Sequence, residues 1–128
     1  MGPIEASILT HMLNNAGLKA LIGTRLYPNE LPQNPTLPAV TYNLISKPRQ
    51  ELGNQFVRIQ YDCYAGVYGQ VKQVTAAIES AANAATSVSN LHTVYIDNAF
   101  DGFDTQTGRH RGVVDVVFYY LKEANFEK

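Results

Sequence analysis

The side chains with most chemical potential in this 128-residue sequence are one cysteine, three histidines and a few carboxylates. Cys63 with His92 or His110 would make a nucleophile and its base only if the two came within hydrogen-bond reach, and no local spacing predicts that. Neither His11, His92 nor His110 has a second His or Cys at metal-ligand spacing, so no zinc site is expected. Asp97, Asp101 and Asp104 have neither the spacing nor the bidentate glutamate of a calcium loop and read as a solvated turn. Gly66 and Gly69 are not followed by Lys-Ser or Lys-Thr at the spacing of a phosphate-cradling loop. Asp62 and Asp115 sit mid-strand between apolar neighbours. Pairing with Arg58, Arg109 or Arg111, across the sheet or a subunit boundary, is the simpler reading than a catalytic dyad. No catalytic constellation, cofactor site or metal site emerges, and Cys63 reads as a buried thiol.

The elements that would carry these residues follow from periodicity. Pro3 suits the first position of a helix, and Ile4, Ile8, Leu9, Met12 and Leu13 recur at helical spacing. Asn14, Asn15 and Gly17 end that run, with Gly17 as the expected left-handed cap, and Leu18, Leu21 and Ile22 predict one further turn. A short extended piece, Arg25 to Tyr27, leads into Pro28, Pro32, Pro35 and Pro38, which exclude a helix and a central strand. This stretch is an extended loop, either ordered on its own domain or an arm laid on a partner.

Val40, Tyr42 and Leu44 alternate with polar residues. Val57, Ile59, Tyr61 and Cys63 oppose Arg58, Gln60 and Asp62, so a hairpin is predicted with its turn at Lys47 to Gln55. Val71, Val74, Ile78, Ala81 and Ala85 form an apolar helical stripe. A strand is predicted over Leu91 to Ala99, then an exposed loop marked by Asp101-Gly102 and Thr107-Gly108. Gly112 to Leu121 is apolar on both faces and predicts a strand covered on both sides, by a core helix on one and by the first helix or a neighbouring subunit on the other. The expected fold is α+β: a single domain over residues 1–128, a mainly antiparallel sheet packed on one side by two α-helices, with a proline-rich extended loop and a β-hairpin.

Composition narrows the function class. Charged residues make up 16%, against roughly 25% in an average domain, while tyrosines number 8. Tyrosine enrichment with few charges leans toward a surface that meets other proteins. A net charge of −1 supplies no basic stripe for nucleic acid, and no apolar run reaches membrane-spanning length. Met1-Gly2-Pro3-Ile4-Glu5 lacks the basic region of a secretory signal, and the single cysteine fits a reducing, intracellular folding environment.

Three ordered blocks carry a resemblance. Gly23-Thr24-Arg25-Leu26-Tyr27-Pro28 with Leu37-Pro38-Ala39-Val40-Thr41-Tyr42 comes first. Arg58-Ile59-Gln60-Tyr61-Asp62-Cys63-Tyr64-Ala65 follows, with the helix bearing Val71, Ala76, Ala77 and Ile78. Asp104-Thr105-Gln106-Thr107-Gly108-Arg109-His110-Arg111, running into Val114-Asp115-Val116-Val117-Phe118-Tyr119-Tyr120, closes the set. Together, from about Leu18 to Tyr120, they resemble the tail completion proteins of long-tailed bacteriophages; the first helix, through Met12, matches less clearly.

The resemblance implies a non-enzymatic virion protein that assembles in the bacterial host cytoplasm. Such proteins form a ring, usually hexameric, on the head-proximal end of the tail tube, stop tube growth and dock to the head connector while DNA passes through without specific binding. A connector adaptor of the same neck region is the first alternative role, and a small ligand-binding domain or enzyme, read from the residues alone, is the second. The implied partners are other copies of the chain, the tube protein and the connector or stopper, with no membrane. The candidate interface residues are Tyr27, Pro28, Pro32, Pro35 and Pro38 on the loop, and Asp62, Arg109, Arg111, Asp115, Val117 and Tyr119 on the strands.

Overall fold

The computed structural model describes residues 3–47 and 53–122. In chain order the elements are α1 (Pro3–Asn14), α2 (Ala16–Ile22), β1 (Leu26–Pro28), β2 (Ala39–Ser46), β3 (Gly53–Ala65), α3 (Tyr68–Asn83), a 3-10 turn (Ala84–Ser87), β4 (Leu91–Asp104) and β5 (Arg109–Lys122). The strands form one five-stranded sheet in the order β1-β2-β3-β5-β4. Every pairing is antiparallel except β1 with β2, which is parallel. The α+β class follows as expected, with three α-helices rather than two.

The third helix arises where the sequence reading placed a cap. Asn15 sits in extended conformation and its side-chain oxygen accepts the Leu18 N–H at 3.0 Å, so it starts α2 rather than merely ending α1. Gly17 lies inside α2, and the positive φ of 60° falls at Gly23, whose N–H returns to the Lys19 carbonyl. Arg25 then folds back on the end of α2, donating to the Leu21 carbonyl at 3.3 Å and to the Pro38 carbonyl at 2.9 Å. That second bond ties the end of the proline-rich segment to its own chain, and Pro38 is buried. The loop is thus anchored to its own domain at Pro38, and it turns the chain so that β2 runs parallel to β1.

One face of the sheet holds the core. Val57, Ile59 and Tyr61 of β3 stand opposite Phe118, Val116 and Val114 of β5, and all six are buried. Val71, Val74 and Ile78 of α3 pack over them, while Ile8 and Met12 of α1 join the same cluster. His11 locks α1 to α3 through its Nε2, 2.7 Å from the Ala81 carbonyl. Each fully buried aliphatic side chain in such a cluster stabilises by about 1.5–3 kcal/mol.

Two strand expectations need correction. β4 does not stop at Ala99: Asp101 pairs with Gly112 and Gly102 with Arg111, so the Asp-Gly pair lies within a long hairpin. The turn falls at 105–108, where Gly108 takes φ 70° and Asp104 accepts the Gln106 N–H at 3.0 Å. The two-sided strand β5 is buried on both faces, yet α1 does not supply the second cover, since it packs in the helix layer. Val113 and Val117 are only 1% and 3% exposed, screened by cross-strand neighbours: Asp62 and Phe100 around the first, Arg58 and Tyr95 around the second. Of the expected turn Lys47 to Gln55, residues 53–55 belong to β3 and 48–52 lie outside the described residues.

Candidate assembly surface

The face of the sheet turned away from the helices is set by the same alternation. Residues directly opposite in register share a face. One row therefore runs Thr41, Asp62, Val113, Phe100 across β2, β3, β5 and β4; the next runs Asn43, Gln60, Asp115, Asn98. Arg58, Val117 and Tyr95 make a third, and Phe56 with Tyr119 a fourth, their rings 5.8 Å apart and tilted. A bulge between Ile96 and Asn98 brings Asp97 onto this face, where it meets Arg58.

Two ion pairs frame a lone carboxylate. Arg58 contacts Asp97 at 2.6 Å, and Arg111 donates to Asp62 at 2.7 Å. The second Asp62 oxygen, the Arg111 Nε and the Thr41 hydroxyl are buried without a hydrogen-bond partner, so the Asp62–Arg111 contact is single-pronged. The Asp62 carboxylate nevertheless holds the Arg111 guanidinium even more firmly protonated than usual. Asp115 lies between the two pairs and accepts neither arginine in an ion pair. Partial burial lifts its carboxyl above the ordinary carboxylate range; Arg58 opposes that shift, and the Asp97 and Asp62 charges reinforce it.

The β4 margin of this face carries exposed aromatics, Tyr95 at 55% and Phe100 at 47%. Isolated exposed apolar residues are ordinary, but two aromatics bordering a half-desolvated carboxylate make a surface suited to a protein partner.

The family comparison now bears on this geometry. The tail completion protein gp17 family matches residues 6–121, which take in all five strands and reach into α1. The chain belongs to that family. It is accordingly a structural phage-tail protein and a virion component. Its fold recurs in a chain of the virion of a native gene transfer agent particle, with a TM-score of 0.70 and 15% identity, over 93% of this chain and 95% of that one. A crystal structure from Akkermansia muciniphila gives a TM-score of 0.41 at 6% identity, over 71% of this chain and 45% of that chain. No curated protein matches the sequence.

For a tail completion protein, the expected interface residues fall in separate places. Asp62, Arg111, Asp115, Val117 and Tyr119 come together on the open face. Arg109 begins β5 opposite Asp104, at the tip of the hairpin. Tyr27 and Pro28 lie on β1 at the far edge, separated from β5 by β2 and β3. Pro32 is exposed, Pro35 half-buried and Pro38 buried. The loop and the strand therefore do not build one patch. Sequence reasoning missed Tyr95, Phe100 and the Arg58–Asp97 pair, because the bulge after Ile96 breaks the alternation that would have shown them on this face.

The groups with catalytic potential of this tail completion protein lie elsewhere. Cys63 is buried on the helix face, and burial pushes its thiol up to about 12, far from a reactive thiolate. The His110 ring is engaged by Phe103 at 4.7 Å and Tyr68 at 5.9 Å. Among the described residues, no group of three or more His, Cys, Asp or Glu is placed to hold a metal ion. A groove of about 200 Å³ opens between α1 and β1, lined mostly by Ile8, Leu9, Leu26, Tyr42 and Ile59. Ligand pockets usually run to about 300–1,000 Å³ with convergent polar groups. Glu5 at its rim is already bonded to Lys47 at 2.7 Å.

Proposed function

We propose that this protein forms a ring on the head-proximal end of the phage tail tube, where it ends tube growth and joins the tail to the head connector. The observation that carries the proposal is the tail completion match across residues 6–121, which spans the whole sheet. Supporting it, the open face combines exposed aromatics with a carboxylate that, among the described residues, has no ion-pair partner, as expected of a surface completed by another protein. In this reading the chain acts as one tail-completion domain, its partners are further copies of itself, six to a ring, the tube protein and the connector or stopper, and it performs no catalysis. A net charge of −1 suits a ring through which DNA passes, since strong basicity would hold the phosphate backbone.

Native mass spectrometry across a concentration series, with and without tube protein, tests this directly. Rings of defined copy number, or tube ends capped by the protein in electron micrographs, are the expected result. Monomer under every condition with bare tube ends would sink it. A labelled copy found in the connector layer instead of on the tube would move the protein to an adaptor role.

A further inference from the structure

Among the described residues, most cationic side chains are committed. Lys47 pairs with Glu5, Arg58 with Asp97, Lys72 with Asp101 and Arg111 with Asp62. Arg25 donates to two carbonyls, and Arg109 interacts with Asp104 across the hairpin. Among the described side chains, Lys19 is left without a carboxylate. It projects from α2 beside Ala16, Gly17 and Ala20, all exposed, so it is the one long side chain on an otherwise low surface. On the opposite side of the molecule, Asp115 has the reverse deficit. It is partly desolvated, faces two further carboxylates and has no ion pair of its own.

We propose that α2 of one subunit docks on the open sheet face of the next, with Lys19 passing between Tyr95 and Phe100 to pair with Asp115. The inference rests on the ring reading above and names its subunit contact. Three features fit together. The charges are opposite and, among the described residues, neither has an ion-pair partner. The small residues of α2 allow a helix to approach the sheet closely. Tyr95 and Phe100 flank Asp115 on the β4 side, where their rings would exclude water from the new pair and strengthen it. Because α2 lies in the helix layer and Asp115 on the other face, each subunit offers one half of the contact to each neighbour. That is the head-to-tail arrangement from which closed rings are built.

A charge swap in the full chain provides the test. Asp115→Lys and Lys19→Asp are made singly and together, and assembly is followed by sedimentation velocity and mass photometry with tube protein present. Circular dichroism and thermal melts check that each variant folds, and Asp115→Asn serves as the milder change if Asp115→Lys does not. Each single reversal is expected to raise the concentration needed for assembly by about tenfold or more, and the double variant to return it to within about threefold of the parent. A double variant no better than the sum of its singles overturns the pairing. If only the Asp115 variants weaken assembly, the cation comes from another protein; the pairing then fails while the ring reading stands. A parent chain that never assembles, alone or with tube protein, defeats both.

Discussion

Gly112 lies directly beneath Thr75: a Cβ built at position 112 would stand 2.6 Å from Thr75 Cγ2 and 2.7 Å from Val71 Cγ1. Helix α3 therefore rests on the central strand pair at the one position of β5 that lacks a side chain. Both contacts come from β-branched residues with stiff χ1 angles, so neither methyl can turn aside cheaply.

Gly112→Ala is accordingly expected to destabilise the subunit by about 1–3 kcal/mol through overpacking. Chemical denaturation measures it. The Thr75→Ser background, which removes one of the two methyl groups, should recover part of the loss. An unchanged midpoint would show that α3 can shift freely on the sheet.

Removing the carboxylate of Asp62 should cost more than its exposed counterparts. Its side chain is 6% exposed, and Asp62→Ala would take from Arg111 its ion-pair partner. A buried pair broken on one side typically costs 3–5 kcal/mol; because the Arg111 side chain is 41% exposed, about 1–3 kcal/mol is expected. By contrast Asp97→Ala, at an exposed pair, should cost under about 1 kcal/mol. Urea titration of the two variants checks the order.

Val117→Asp and Tyr119→Asp separate folding from association. Val117 is 3% exposed, so a charge there is expected to cost at least about 3 kcal/mol and to unfold the subunit at moderate temperature. Tyr119 is half-buried against Phe56, and its replacement should leave a folded chain with a lower melting temperature. Equal effects of the two would contradict the register of β5.

The Asp115 carboxyl gives a pH dependence with a definite sign. Its folded value is raised above the unfolded one, so no cost is felt in acid, below the unfolded value. The cost grows as pH rises through the folded value. Asp115→Asn should therefore raise the melting temperature of the isolated subunit at pH 7, by under about 1 kcal/mol in stability given its exposure, with the gain vanishing near pH 3. Melting curves of the monomer across that range decide it.

Thiol chemistry offers a further check on packing. With its thiol pushed up to about 12 and its side chain buried, Cys63 should react with a disulfide reagent at pH 8 only as fast as the chain opens. The same linkage makes stability fall as pH rises from the unfolded thiol value toward the folded one. Rapid labelling in the native state would mean that α3 leaves the sheet readily.

How far the fold could be read in advance depended on whether burial was one-sided. β3 alternates cleanly because one face meets the helices, and the stripe of α3 from Val71 to Ala85 is similarly plain. Residues 98–104 of β4 are exposed on both faces, so no alternation marks them, and only pairing with β5 makes them a strand. Asn15 and Gly17 carried competing signals two positions apart, and a side-chain cap at Asn15 won over a glycine cap. Of the candidate surface, Asp62, Arg111, Asp115 and Val117 were recognisable as charged or apolar residues out of place in a strand. Which arginine meets which aspartate depends on register and on a bulge, and neither is encoded locally.

The strand order β1-β2-β3-β5-β4 also governs when the protein can be made. β5, the last of the described strands, occupies the interior of the sheet and bridges β3 to β4. While the chain is still emerging from the ribosome, β3 has only β2 as a neighbour, and β4 has none until β5 appears. The open face, with its row through Asp115, does not exist in any shorter intermediate. On the ring reading proposed above, a subunit synthesised in this order offers that face to a neighbouring copy only once β5 has been translated.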